Sequence, residues 1–228
     1  KNELITSNNV GKVNNSGPRI GVAYLTGTVN EFATRDVKYG GLGIIPFASM
    51  IGYQIEGQYV VTENFSALVE GIVNVSGLDQ GQFMPSVSLL NGFRWGKANW
   101  EFAFGPRFGI KSVSTGFLDI DGEYGQKGAY YTQTEFQNNG GKIQLSTGNL
   151  ILEPWQGFSE HFDKRGKKEI APSFLIAFGR TFQSGSLNIP VNAFYSAQPG
   201  GGFVGVNMGF NVQKSKQPIN KQSPQRYY

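Results

Sequence analysis

Strict alternation of side-chain character, repeated in eight separate stretches, restricts this chain to a fold built of strands. The clearest instance is WEFAFGPRFGIK, Trp100 to Lys111. Trp100, Phe102, Phe104, Phe108 and Ile110 share one parity with Pro106, while Glu101, Ala103, Gly105, Arg107, Gly109 and Lys111 share the other. A strand sends successive side chains to opposite faces, so this segment has an aromatic wall on one side and small or charged groups on the other.

The same contrast recurs along the chain. Ile20, Val22 and Tyr24 oppose Arg19, Gly21 and Ala23 in a segment near 18–27, and Ile51, Tyr53, Ile55 and Tyr59 oppose Gly52, Gln54, Glu56 and Gln58 near 46–60. Near 64–77 the pattern is blurred by Leu68 and Ile72, and near 84–96 Asn91 falls on the apolar parity. Three further segments lie near 169–182, from Leu187 to Ser196, and from Val204 to Val212. Glycine supplies 32 of 228 residues and aromatics 14%, which suits close-packed strands and turns better than helices.

No run approaches the ~18 apolar residues of a membrane helix. A spanning chain of this kind must be a closed barrel, because lipid offers nothing to an unpaired backbone group. The connections, read as 28–45, 62–64, 78–83, 96–99, 112–168, 183–185 and 197–201, alternate long and short. Outer-membrane barrels keep short periplasmic turns and longer external loops. The expectation is an all-β, eight-stranded antiparallel up-and-down transmembrane β-barrel over 18–212, with one long extracellular loop at about 112–168. Residues 1–17 would form an N-terminal periplasmic segment and 213–228 a basic periplasmic tail. A soluble barrel with the faces reversed is the competing architecture. Pro106 lacks a ladder donor, so a bulge is predicted there.

With the apolar parity outward, Arg19, Glu56, Glu70, Arg94, Glu101, Arg107 and Lys111 point into the lumen. Both signs of charge in so narrow an interior predict an ionic plug rather than a selective pore. Trp95 and Trp100, flanking one short turn, would join an interfacial aromatic girdle.

The chain has no cysteine, which excludes disulfides, thiolate metal sites and a lipoprotein anchor at residue 1. It starts at Lys1 without an apolar leader, so a secretory signal is expected to have been removed. The net charge of +4 resides in the last sixteen residues, which hold Lys214, Lys216, Lys221 and Arg226 and no acid. The remainder is formally neutral, which argues against a nucleic-acid-binding face.

The segments FAFGPRFGI and GGGFVGVNMGFNV, with the order of strands and loops, resemble the small porin-like outer-membrane β-barrel proteins of Bacteroidota-type bacteria. The resemblance covers about 18–212. It implies a precursor with a signal peptide, insertion in the bacterial outer membrane, and contact with its lipid and lipopolysaccharide. Some members of that family are accessory subunits of larger outer-membrane machines, including secretion complexes. The sixteen residues after Val212 depart from barrels that end at the last strand's aromatic residue.

Several side-chain groups bear on function. His161 is the one histidine, flanked by Ser159 and Asp163 in an order compatible with a nucleophile, base and orienting acid, but sequence spacing supplies no geometry. Asp119, Asp121 and Glu123 offer oxygens of the kind calcium prefers without the full calcium-loop pattern, and a solvated turn is the competing account. Gly200 to Gly202 precede a strand and so are not a phosphate cradle. No cofactor motif is legible.

The long connection carries Tyr124, Tyr130, Tyr131, Trp155 and Phe158, which would either roof the barrel mouth or dock another protein. YYTQTEF and KIQLS are predicted to form a hairpin, and NLILEPW a further short strand. Lys164, Arg165, Lys167 and Lys168 could meet lipopolysaccharide phosphates or simply face water. The tail would use Lys214, Lys216, Arg226, Tyr227 and Tyr228 on a periplasmic partner, or hang free. The expected function is a non-catalytic accessory or structural subunit of an outer-membrane complex. A stand-alone surface barrel binding an external ligand or adhesion target is the alternative, and a narrow channel ranks third.

Overall fold

The computed structural model describes residues 13–122, 127–138, 157–184 and 186–212, and the backbone of 143–144 and 150–151. In chain order the elements are β1 Gly17–Thr26, α1 Gly27–Thr34, β2 Phe47–Val61, β3 Phe65–Ser76, β4 Met84–Trp95 and β5 Trp100–Asp119. Then follow β6 Ala129–Thr132, α2 Gln133–Asn138, β7 Ile143–Gln144, β8 Leu150–Ile151 and β9 Ser159–Phe162. The last four are β10 Lys167–Ser184, β11 Leu187–Gln198, β12 Gly201–Gly209 and β13 Asn211–Val212.

Strands β1, β2, β3, β4, β5, β10, β11 and β12 pair with their neighbours in that order, all antiparallel, and β12 returns to β1. The sheet thus closes in a ring of eight strands. Parity assigns the faces as expected: Ile51, Val73, Leu89, Phe108, Phe174 and Val206 are exposed on the outside, while Arg19, Glu70, Ser88, Ala103 and Ser196 are buried within. Leu68 and Ile72, which blur the third segment, also face inward; Leu68 is fully buried and Ile72 packs on the inner cluster of Ala23, Leu90, Ala103, Leu175 and Phe194. Asn91 stays outside, where it accepts a hydrogen bond from the Tyr59 hydroxyl at 2.9 Å.

Glycine on the inner parity lets the ring close tightly. A Cβ on Gly205 would stand 2.3 Å from the Val22 carbonyl oxygen and 2.8 Å from Cζ of Phe194.

Four expectations need correction. The bulge does not fall at Pro106: the β5 registers continue unshifted past it, with Phe174 opposite Pro106 on one side and only the neighbouring β4 pairs missing on the other. A proline costs one local donor, and the unbroken β10 ladder holds the strand straight. The bulge lies instead in β2, between Gln58 and Val60. The alternation of connection lengths stops at the last one, because β11 and β12 pair as far as Gln198 and Gly201 and leave only Pro199 and Gly200 as the turn. Gly200 has φ +82°, a left-handed conformation that glycine adopts without steric cost.

β5 runs eight residues beyond the predicted Lys111 end. Its apolar parity switches there: Val113 and Phe117 are buried on the parity that carries Arg107 lower down. The strand is rising out of the ring and its dry side now faces a cap. The predicted hairpin of YYTQTEF with KIQLS is also replaced. Ala129–Thr132 pairs with Gly116–Asp119, Gln133–Asn138 is helical, and Ile143–Gln144 pairs with Leu150–Ile151. Thr132 Oγ1 accepts from the Glu135 backbone N–H at 3.1 Å, and the Glu135 carboxylate accepts from the Thr132 N–H at 3.0 Å. This reciprocal capping box starts a helix where a strand was expected to continue.

Candidate functional site

The interior is built in tiers. Nearest the short turns, Arg94 on β4 is fully buried and binds Glu56 on β2 and Glu101 on β5. Its Nη2 lies 2.7 Å from Glu56 Oε2, its Nε donates to Glu101 Oε2 at 2.9 Å, and its Nη1 donates to the Val13 carbonyl at 2.8 Å. That last partner was absent from the expectation, which placed 1–17 outside the ring. Residues Val13 to Ser16 turn into the opening: the Asn15 N–H donates to Glu56 at 3.1 Å, and its side-chain amide donates to Thr181 at 2.8 Å. Ser16 Oγ accepts from the Glu56 N–H at 2.9 Å. Burying two carboxylates and a guanidinium is costly unless each oxygen and N–H has a partner, and this end supplies those partners from the chain itself.

One level further in, the Gln54 amide donates to Glu70 at 2.8 Å and Arg19 donates to Asn207 at 3.0 Å. Carboxylate oxygens of Glu56, Glu70 and Glu101 lie within 4.8 Å of one another. Arg94 and Gln54 are the groups that hold them. A cavity of about 40 Å³ runs from Arg19, Gln54 and Glu70 past Leu90 and Phe194 to Arg107, with space for no more than a few waters. The apolar tier of Leu90, Ala103, Leu175 and Phe194 follows. Of the seven expected lumen charges, Arg19, Glu56, Glu70, Arg94 and Glu101 thus gather in one buried cluster, and Arg107 and Lys111 lie apart from it. Arg107 stands above the apolar tier with its guanidinium 4.7 Å from the ring centroid of Phe203. Lys111 is half-buried at the far rim beside Glu160, at 3.4 Å, and Glu169, at 3.7 Å.

The long-connection end is roofed. α1 lays Val29 and Ala33 onto Leu25, Phe162 and Phe203. Behind it Phe117 and Phe136 pack with Tyr131 and Phe158. Of the aromatic docking candidates, Tyr130 is buried and donates to the Ser114 carbonyl at 2.7 Å, while Tyr131 and Phe158 ring-pack on Phe117. These three serve the cap's own core. Tyr124, Trp155, Lys214, Lys216, Arg226, Tyr227 and Tyr228 lie outside the described residues.

Asp163 ties the cap together. Its side chain is fully buried, accepts from Ser114 Oγ at 2.8 Å and from Arg165 Nε at 3.0 Å, and its neighbour Lys164 donates its N–H to the Gly40 carbonyl at 2.7 Å. Burial alone would raise this carboxyl, but the bonds from Arg165 and Ser114 prevail and hold it below the usual aspartate range. His161 Nε2 meets Ser159 Oγ at 2.7 Å. Burial, and then the Arg35 charge, hold its imidazole below the usual range. Asp163 is committed to Ser114 and Arg165, so the third member of a triad is not assembled. Asp119 is buried in the ladder opposite Ala129. Among the described residues the carboxylates that converge are Glu56, Glu70 and Glu101, and neither Asp119 nor Asp121 joins them.

A second cavity, of about 480 Å³, lies between α1 and the upper ring. Sequence reasoning missed it. Its signal was the parity switch after Ile110, which marks where the apolar side of β5 leaves the outer face.

No family model matches the sequence, no curated protein matches it, and no solved structure matches its fold.

Proposed function

We propose that this chain is a non-conducting outer-membrane β-barrel, with its long connections external and its short turns periplasmic, acting as a non-catalytic structural subunit of a larger outer-membrane complex. The observation that carries the reading is the inversion of the ring: Ile51, Val69, Val73, Val87, Leu89, Phe108, Ile176 and Val206 are at least 40% exposed on its outside, while Arg94 and Glu56 are buried inside. Water would penalise that arrangement over the whole circumference, whereas lipid requires it. Trp95 and Trp100, stacked or tilted against Phe178 beside a short turn, suit an interface belt, and Arg180 reaches over Trp100 at 5.5 Å as a snorkelling cation.

A channel is disfavoured because the interior space of about 40 Å³ holds no more than a few waters and the fully buried Arg94 group fills the short-turn end. Catalysis is disfavoured because Asp163 is taken up by Ser114 and Arg165 while His161 bonds Ser159. On this reading the interior neither catalyses nor conducts, and the surfaces left for function are the lipid face, the cap and the tail. The kinship with porin-like Bacteroidota barrels belongs to this proposal and rests on FAFGPRFGI and the glycine-punctuated last strand. Binding of an external ligand is the second reading, and the cavity under α1 favours it.

Affinity purification from native outer membranes in mild detergent, with native mass determination, tests the subunit role. Stoichiometric partner chains are expected. A species with the mass of one chain plus detergent would contradict the subunit role and leave the second reading.

A further inference from the structure

The cavity under α1 has a composition that selects its occupant. Leu25, Val29, Phe32, Phe162 and Phe203 give it apolar walls. Arg107, Lys111, Lys164 and Lys168 are the charged residues that line it, and no aspartate or glutamate does. Lys111 already faces Glu160 and Glu169. Arg107 is only 8% exposed, lines the floor, and has no carboxylate within ion-pair distance among the described residues. A buried cation without a counter-charge is costly, so this cavity favours an anion.

Its mouth is also specified. The β4–β5 ladder ends at Ser86 opposite Gly109, and β6 takes up the same edge of β5 only from Gly116. The cavity wall reaches the outer face in that interval through Phe83, 70% exposed, and Ile110, 52% exposed. The opening is therefore sideways and apolar, while the cations lie on the floor and at the rim toward Lys164 and Lys168.

We infer that this cavity binds a single-chain amphiphile with an anionic head, of the fatty-carboxylate class, its head at Arg107 and its chain leaving between Phe83 and Ile110. The volume is in the usual range for small-molecule sites. The site stands on the cavity alone, and entry from the bilayer rests on the membrane reading.

The test uses the full chain in neutral maltoside micelles and in lipid nanodiscs, titrated calorimetrically with dodecanoate, dodecanol, dodecyltrimethylammonium and acetate. Saturable one-to-one binding of dodecanoate is expected, with the alcohol and the cation at least about tenfold weaker. Lys168→Glu, at an exposed position that leaves folding intact, should weaken dodecanoate several-fold. Arg107→Gln should weaken it further, and Ala171→Trp, which fills the cavity, should abolish it. Equal affinity for carboxylate and alcohol, acetate bound as tightly as dodecanoate, or indifference to Lys168→Glu and Ala171→Trp would each overturn the inference. Loss of binding with insertion intact defeats the site alone, and binding without insertion defeats the membrane reading alone.

Discussion

The two ends of the ring bury charge in opposite ways. At the short-turn end Arg94 has two carboxylates and a backbone carbonyl, and the chain folds Val13 to Ser16 inward to complete the set. At the long-connection end Arg107 has an aromatic ring and, among the described residues, no acid within ion-pair distance. One end is saturated by its own residues and closed, and the other keeps an unbalanced cation beside a cavity. The difference separates a structural use of buried charge from one available to a ligand.

Breaking the saturated end should have the largest effect. Arg94→Met leaves Glu56 and Glu101 buried without their cation, and removing one partner of a buried pair costs roughly 3–5 kcal/mol. Denaturant unfolding in micelles should show that loss, whereas Arg107→Met should cost little or even stabilise. Equal losses would erase the contrast between the ends. Gly205→Val should follow, at about 1–3 kcal/mol, because its side chain collides with Phe194 and the Val22 carbonyl. The same assay measures it.

The cap should respond more modestly. Thr132→Ala removes the hydroxyl half of the box that begins α2 and should cost the cap about 1 kcal/mol, read as faster amide exchange near Glu135 with the ring unchanged. Asp163 adds a pH dependence. Its folded carboxyl lies below the ordinary 3.8, so its stabilisation is present above that pH and is lost as the pH falls through the folded value. Asp163→Asn should flatten the acid-side loss of protection in β9, and an unchanged profile would remove Asp163 as the tie.

Much of the ring was legible because period two is a local property: each stretch from Ile20 to Val212 announces its own face, and the burial of Arg19, Glu56, Glu70, Arg94, Glu101 and Arg107 followed from parity, while Lys111 sits half-buried at the rim. Contacts set by distance across the interior were not. Nothing in Val13 to Ser16 carries a period, and their place inside is fixed by Glu56, Arg94 and Thr181, brought there by three different strands. The cap was partly readable. Thr132 and Glu135 spell a capping box, and Val113 with Phe117 reverse the parity of Phe108 and Ile110, but both signals were hidden inside a stretch taken as loop. α1 buries only Val29 and Ala33, too few apolar positions to stand out as a helical stripe.

On the proposed reading the outer parity of the ring faces lipid. The absence of cysteine allows single cysteines to be placed without background. A bimane label at Val69, Leu89, Ile176 and Val206, and in parallel at Ser66, Ser88, Ala177 and Ser173, would be read in bilayers whose acyl chains carry bromine. Strong quenching is expected at the first four positions and little at the second four. Equal weak quenching at both sets, with the first set open to aqueous iodide, would contradict membrane insertion.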